Sequence, residues 1–269
     1  MERNTLNRIL VGVGLVLVAS AVGLYIYRSR TAAPPPPPPA AAVPQEAPPA
    51  VVENPLPNTA GDSAGAAPLP ALAASDAPLA AELSTLFGAE SVTAWVNPEM
   101  LIRRLVVTVD NMPRAKPADR LRPVKYVEGQ FEVTRSAAPP GGDETITLAD
   151  ANYARYDALV RLVSAADMQP VAKLYTHYYP LFQQSYEELG FPGKYFNDRL
   201  VAVIDHLLQT PEVSSPVLLT QPKVFYQFAD PSLEARSAGQ KLLLRMGPRN
   251  AQAVKTKLRE LRTAVAKQG

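Results

Sequence analysis

Asp198, Arg199, Asp205 and His206 are the residues whose types and spacing offer chemistry, because all four fall on one predicted helix, about Tyr195 to Gln209. Asp198 and Asp205 are seven positions apart and share a face, with backbones roughly 10 Å apart along the axis. That exceeds the ~5–9.5 Å carboxyl separations of glycoside hydrolysis, although side-chain rotation can change the distance. Arg199 and His206 repeat the same spacing on one flank, and Asn197 adjoins them. Asp205 neighbours His206 in the chain without facing it. Two readings follow. In one, Asp198, Asp205 or His206 performs hydrolysis in a groove beside this helix. In the other, which is the default for charged residues, Asn197, Asp198, Arg199, Asp205 and His206 form a polar binding or solvated face. The opposite, apolar stripe is Phe196, Leu200, Val203, Ile204 and Leu207.

The remaining inventory excludes more chemistry than it offers. The chain has no cysteine, which removes disulfides, thiolate zinc sites, iron–sulfur clusters and cysteine nucleophiles. Its two histidines, His177 and His206, lack metal-ligand spacing. His177 borders an apolar stripe, the position of a hydrogen-bonded structural histidine. Gly141 and Gly142 follow prolines and precede no helical Lys-Ser/Thr pair, so no phosphate cradle is read there. No serine has a Gly-x-Ser-x-Gly setting. No catalytic residue, metal or cofactor is therefore assigned. With 27 Lys+Arg against 25 Asp+Glu, the net charge of +2 gives no field for nucleic acid.

These residues lie far downstream of a different kind of segment. Ile9 to Tyr27 is nineteen residues without a charge, long enough at 1.5 Å per residue to cross a bilayer core of about 30 Å. Tyr25 and Tyr27 fall where aromatic rings favour the interface, and Arg28 and Arg30 reach the headgroups. A transmembrane helix in contact with the lipid bilayer is predicted over residues 9–27, after a tail of residues 1–8. Ala19-Ser20-Ala21 offers a cleavage site, but the apolar Val22–Ile26 would then begin the mature chain. Residues 28–74 read as a disordered Pro/Ala-rich linker. Residues 31–74 hold thirteen prolines and fourteen alanines, including Pro34 to Pro39, and no Lys or Arg. Fully extended, such a segment reaches at most roughly 140 Å at ~3.1 Å per residue. Because the flanking positive charges nearly balance, this Lys/Arg-free stretch sets the predicted orientation: amino terminus inside, bulk outside.

Residues 75–269 are predicted to form one globular domain, mainly α with a small β part (α+β). Ser75 and Asp76 precede a helix ending at Phe87, and Asn97-Pro98 is read as the cap and first turn of a second. Leu101, Leu105 and Val109 line that second helix. Val124 and Tyr126, the Glu128-Gly129 turn, and Phe131 and Val133 are read as a hairpin, with Thr145–Leu148 a third strand. Helices follow at Tyr156–Ala165 and Met168–Leu189, the latter capped by Asp167 and kinked at Pro180. Its stripe is Val171, Leu174, Tyr178, Leu181, Ser185 and Leu189. Lys223–Phe228 reads as an edge strand or cover. Two last helices divide at Gly247-Pro248. The final one carries Arg249, Lys255, Lys257, Arg259, Arg262 and Lys267 against Glu260 alone, a pattern read as a solvated helix packed on its neighbours rather than a nucleic-acid or membrane face.

Three strings are not dictated by amphipathicity: Leu181-Phe-Gln-Gln-Ser-Tyr-Glu-Glu-Leu-Gly190, Tyr195-Phe-Asn-Asp-Arg-Leu200 continuing through Val203-Ile-Asp-His-Leu-Leu208, and Ser237-Ala-Gly-Gln-Lys-Leu-Leu-Leu-Arg-Met-Gly-Pro248. In these the domain resembles the bacterial DUF3014 family. The resemblance carries no activity to any residue; it implies a Gram-negative envelope setting. The expectation is a single-pass inner-membrane protein with a periplasmic, non-enzymatic interaction domain and an envelope protein as partner. The alternative is a tethered hydrolase or envelope-modifying enzyme. A reversed topology would instead leave the domain cytoplasmic.

Overall fold

The computed structural model describes residues 52–56, 68–137, 144–214 and 216–266. The chain divides into two units, residues 1–48 and 49–269, and every described residue belongs to the second. The predicted membrane helix, the Pro34–Pro39 run and the Pro139–Gly142 loop lie outside the described residues.

The folded body is mainly helical with one small antiparallel sheet. A short 3₁₀ turn, Leu72–Ala74, leads into α1 (Asp76–Phe87), α2 (Ala89–Trp95) and α3 (Leu101–Asn111). Strands β1 (Val133–Ser136) and β2 (Thr145–Leu148) precede α4 (Ala151–Ala154), α5 (Asp157–Ala165), α6 (Met168–Glu188) and α7 (Phe196–Leu208). Then come β3 (Leu218–Thr220), β4 (Gln227–Phe228), α8 (Pro231–Glu234), α9 (Ala238–Arg245) and α10 (Pro248–Val265). The sheet order is β1-β2-β3-β4, with Ile146 opposite Leu219 and Leu219 opposite Phe228.

Helix α6 is the centre of the largest core. It runs unbroken through Pro180, whose ring position is exposed, and α3 and α7 pack on it. Tyr178, Phe182 and Tyr186 are buried with Phe196, Leu101, Ile102 and Val106. The Phe182 and Phe196 rings stack with centroids 5.7 Å apart. The apolar face of α6 is thus shifted from the predicted stripe: Phe182 and Tyr186 are inside and Leu189 is exposed. A second core lies under the sheet, where Leu148, Leu219 and Phe228 meet Val217, Leu233 and Leu244.

Four expectations are corrected. Residues 124–127 form no strand: Pro123 lacks a donor, and Lys125 N–H donates to Trp95 O, so this segment pairs with residues 95–97 instead of 131–133. The hairpin is β1–β2. The helix after Asn97 starts only at Leu101, and its free amides are capped from a distance, Met100 N and Leu101 N donating to the Asp76 carboxylate at 2.7 and 2.8 Å. Asn97 Nδ2 instead donates to Arg122 O. Finally, the end of the predicted linker is part of the body. Leu72 is buried in the α6 core with Leu69 against it, and Leu56 packs beside Val201 and Val265.

Candidate interaction site

Helix α7 presents every residue the sequence singled out, and it is enclosed by α3, α6 and α10 rather than exposed along one side. The Tyr195–Gln209 sequence forms it because Phe196, Val201, Val203 and Ile204 are all buried, with Leu200 and Leu207 half-buried. The polar residues then face different neighbours. Only Asn197 and Asp198 meet, at Asn54.

Asn197 is 1% exposed. Its Nδ2 donates to Val265 O at 2.8 Å and to Asn54 O at 2.9 Å, and its Oδ1 accepts from the Tyr175 hydroxyl at 3.1 Å. Burial, then the nearby Tyr179 and Asp198, holds the Tyr175 phenol well above its ordinary range, so it stays a donor. Asp198 accepts from Asn54 N at 2.6 Å, Glu53 N at 3.2 Å and Asn54 Nδ2 at 3.3 Å. Arg199 binds Asp110 of α3, which also pairs with Arg114. Asp205 takes Arg262 of α10 in a two-pronged contact, which raises the guanidinium above its ordinary value through hydrogen bonding and charge. The predicted face opposite the buried stripe is therefore occupied by the chain's own strap and by α10.

His206 lines a groove of about 490 Å³ together with Pro113, Ala115, Arg236, Ser237 and Gln240. Its Nε2 lies 2.8 Å from Ser237 Oγ, while that oxygen accepts from Gln240 N at 3.3 Å as the cap of α9. His177 is half-buried and lines a separate concavity with Glu82 and Lys173.

The basic residues of α10 are largely consumed by packing. Arg249 reaches Asp157, Lys257 reaches Ala166 O and Glu260, and Lys255, only 5% exposed, donates to Thr210 O. Asp157 is held below its ordinary value by Asn250 and Arg249.

Two features had no clear mark in the sequence. A cleft of about 480 Å³ separates α3 from α9, with Met112, Val124 and Leu242 as apolar lining and Arg122, Lys241 and Arg245 as its cations. Its walls come from segments more than a hundred residues apart, so no local spacing reveals it. The other is the β3–β4 connection, where Val224 and Phe225 stand 78% and 81% exposed. That apolar pair was legible as residues but not as an exposed tip. Among the described residues, no group of three or more His, Cys, Asp or Glu stands close enough to hold a metal, and no helix is long and apolar enough to cross a membrane.

Comparison with curated proteins and with solved structures returns no match. The family model described as "Protein of unknown function (DUF3014)" matches residues 101–262, from α3 through nearly the whole of α10. That span takes in α6, α7 and α9, the elements that carry the three strings singled out above, and on it the chain belongs to the DUF3014 family.

Proposed function

We propose that this chain is a single-pass inner-membrane protein whose helical domain lies in the periplasm and binds an envelope protein without catalysing a reaction. The observation that carries the reading is the uncharged Ile9–Tyr27 run followed by a long segment of Pro and Ala with no Lys or Arg. The geometry of the domain supports an interaction role, because Asn197 and Asp198 hold the 53–54 strap, Arg199 holds Asp110 and Asp205 holds Arg262, and the four share no reaction centre. The exposed Val224-Phe225 tip is the kind of apolar projection that seats in a partner. Reporter fusions after Gly269, active only when exported, together with recovery of the chain in the membrane fraction, test the topology. A cytoplasm-active reporter or a soluble full-length chain overturns it. Crosslinking through position 225 that recovers no envelope protein overturns the partner.

A hydrolase remains the second reading, and one contact favours it: the His206 Nε2–Ser237 Oγ approach of 2.8 Å beside an open groove. Labelling with a fluorophosphonate decides it. Modification of Ser237 that vanishes in His206→Gln supports a hydrolase, and an unlabelled Ser237 dismisses it.

A further inference from the structure

Residues 53–56 are seated on the α7–α10 junction chiefly through their main chain. Asp198 holds two consecutive amides, those of Glu53 and Asn54, and Asn197 donates to the Asn54 carbonyl. The Asn54 side-chain amide, at 3.3 Å from Asp198, adds a side-chain hydrogen bond. Leu56 then enters the apolar contact formed by Ala172, Val201 and Val265. The Asn197 side chain is oriented independently of the strap. Tyr175 and Val265 O orient the Asn197 amide, leaving its second N–H pointed at the strap carbonyl. An acceptor for two consecutive amides, a donor for the carbonyl of the second and an apolar seat two residues further on match an extended peptide of polar-Pro-apolar pattern.

We propose that this junction is a peptide-binding site whose resting occupant is the chain's own Glu53-Asn54-Pro55-Leu56, and that its partner is an extended segment of another polypeptide with the same polar-Pro-apolar pattern. Three observations argue for exchange. The strap is short, with Glu53 and Pro55 exposed, so its few contacts are set against the entropy of ordering a proline-rich chain. Three of its hydrogen bonds, from Glu53 N, from Asn54 N and to Asn54 O, are main-chain bonds, which a second peptide reproduces. The sequence on both sides of it is Pro/Ala-rich, with no apolar periodicity to anchor it elsewhere. Because the connection from residue 57 to the domain is short, the cis segment acts at a high effective concentration and masks the groove until a competitor arrives. Release would also lengthen the arm between residue 27 and the domain, coupling capture to reach.

This deepens the interaction role proposed above but does not depend on which side of a membrane the domain lies. The test therefore uses the purified full chain in detergent and a fluorescent peptide of residues 49–60. Asn54→Pro removes the amide that meets Asp198, and Leu56→Asp empties the apolar seat; both lie in the strap and leave the helical body intact. The peptide is expected to bind the Asn54→Pro/Leu56→Asp chain at least 10-fold more tightly than the wild-type chain, and to lose that gain when Asp198→Ala is added. Thermal melts confirm that all three chains are folded. A scrambled peptide that binds equally well, equal binding to wild type and strap variant, or no binding to either overturns the proposal.

Discussion

One guanidinium clamps both the side chain and the main chain of a neighbouring helix: Arg199 Nε donates to Asp110 Oδ1 at 3.0 Å and Arg199 Nη2 to Asp110 O at 2.8 Å. The Asp110 carboxylate is 3% exposed and Arg199 is 30% exposed, so the acid depends on the pair more than the base does. Arg199→Met should destabilise the domain by about 2–3 kcal/mol, below the ~3–5 kcal/mol of a fully broken buried pair because Arg114 remains. Arg199→Lys should recover little, since an ammonium cannot span both acceptors. Denaturant unfolding of both, with Asp110→Asn closing a double-mutant cycle, measures the coupling. A loss under about 0.5 kcal/mol, the range of an ordinary surface change, would show the clamp to be idle.

Helix α9 approaches α7 at Gly239. A Cβ there would lie 2.5 Å from a Leu207 methyl and 3.1 Å from Met112 O, and Gly239 N already donates to that same carbonyl. Gly239→Val should cost about 1–3 kcal/mol by overpacking against backbone that cannot yield. Gly190→Ala meets no atom within 4 Å and tests backbone conformation alone, at φ +105°. Melting temperatures of the two separate close packing from left-handed backbone.

Tyr175, Tyr178, Tyr179 and Tyr186 all have phenols raised above 10 in the folded chain, burial being the first cause in each. Tyr178 also donates to Glu82 Oε1 at 2.7 Å. A raised folded value means that this stabilisation is complete below pH 10 and declines as pH climbs above it, where the unfolded chain releases protons the folded one retains. Absorbance near 295 nm should therefore show these four tyrosines ionising together with unfolding. Ionisation of all eleven tyrosines near pH 10 in a still-folded chain would contradict the burial of these four.

Glu234 gives the opposite sign. Burial raises its carboxyl, but Lys241 and the Phe228 amide outweigh that and hold it below its ordinary 4.5. The contact ties α8 to α9 and to β4, with Lys241 Nζ 2.9 Å from Oε1 and Phe228 N 3.0 Å from Oε2. A lowered folded value contributes stability that is present above about pH 4.5 and lost as pH falls through the depressed native value. Glu234→Gln should melt below wild type at pH 7 and approach it near pH 3. A pH-independent gap would assign the effect to packing.

Val224→Ser/Phe225→Ser should leave the unfolding midpoint within about 0.5 kcal/mol of wild type, because neither side chain is inside. It should nevertheless abolish any crosslink formed through the β3–β4 tip. A large loss of stability would show that the pair is core.

Much of the helical frame was readable. Asp167 caps α6 through Gln169 N, Gly247-Pro248 separates α9 from α10, and Phe196, Val203 and Ile204 are buried on α7. Each of these follows from local geometry: a cap, a left-handed glycine before proline, a 3.6-residue period. The hairpin assigned to residues 124–133 failed because period two was read without its partner. Main-chain bonds from residues 95–97 took that segment first.

The candidate site divides in the same way. The sequence alone determined that Asn197, Asp198, Arg199, Asp205 and His206 share one helix, since their spacing is a property of a single chain of hydrogen bonds. Tertiary structure decided that the five do not form one site. Asp110, Arg262, Ser237 and the 53–54 strap come from positions 31 to 145 residues away; the first three each claim one of them, and the strap claims Asn197 and Asp198. Charges on a helix face carry no record of which distant partner will neutralise them. That choice belongs to how helices close on one another, where a buried carboxylate or amide must find its complement wherever the chain supplies it.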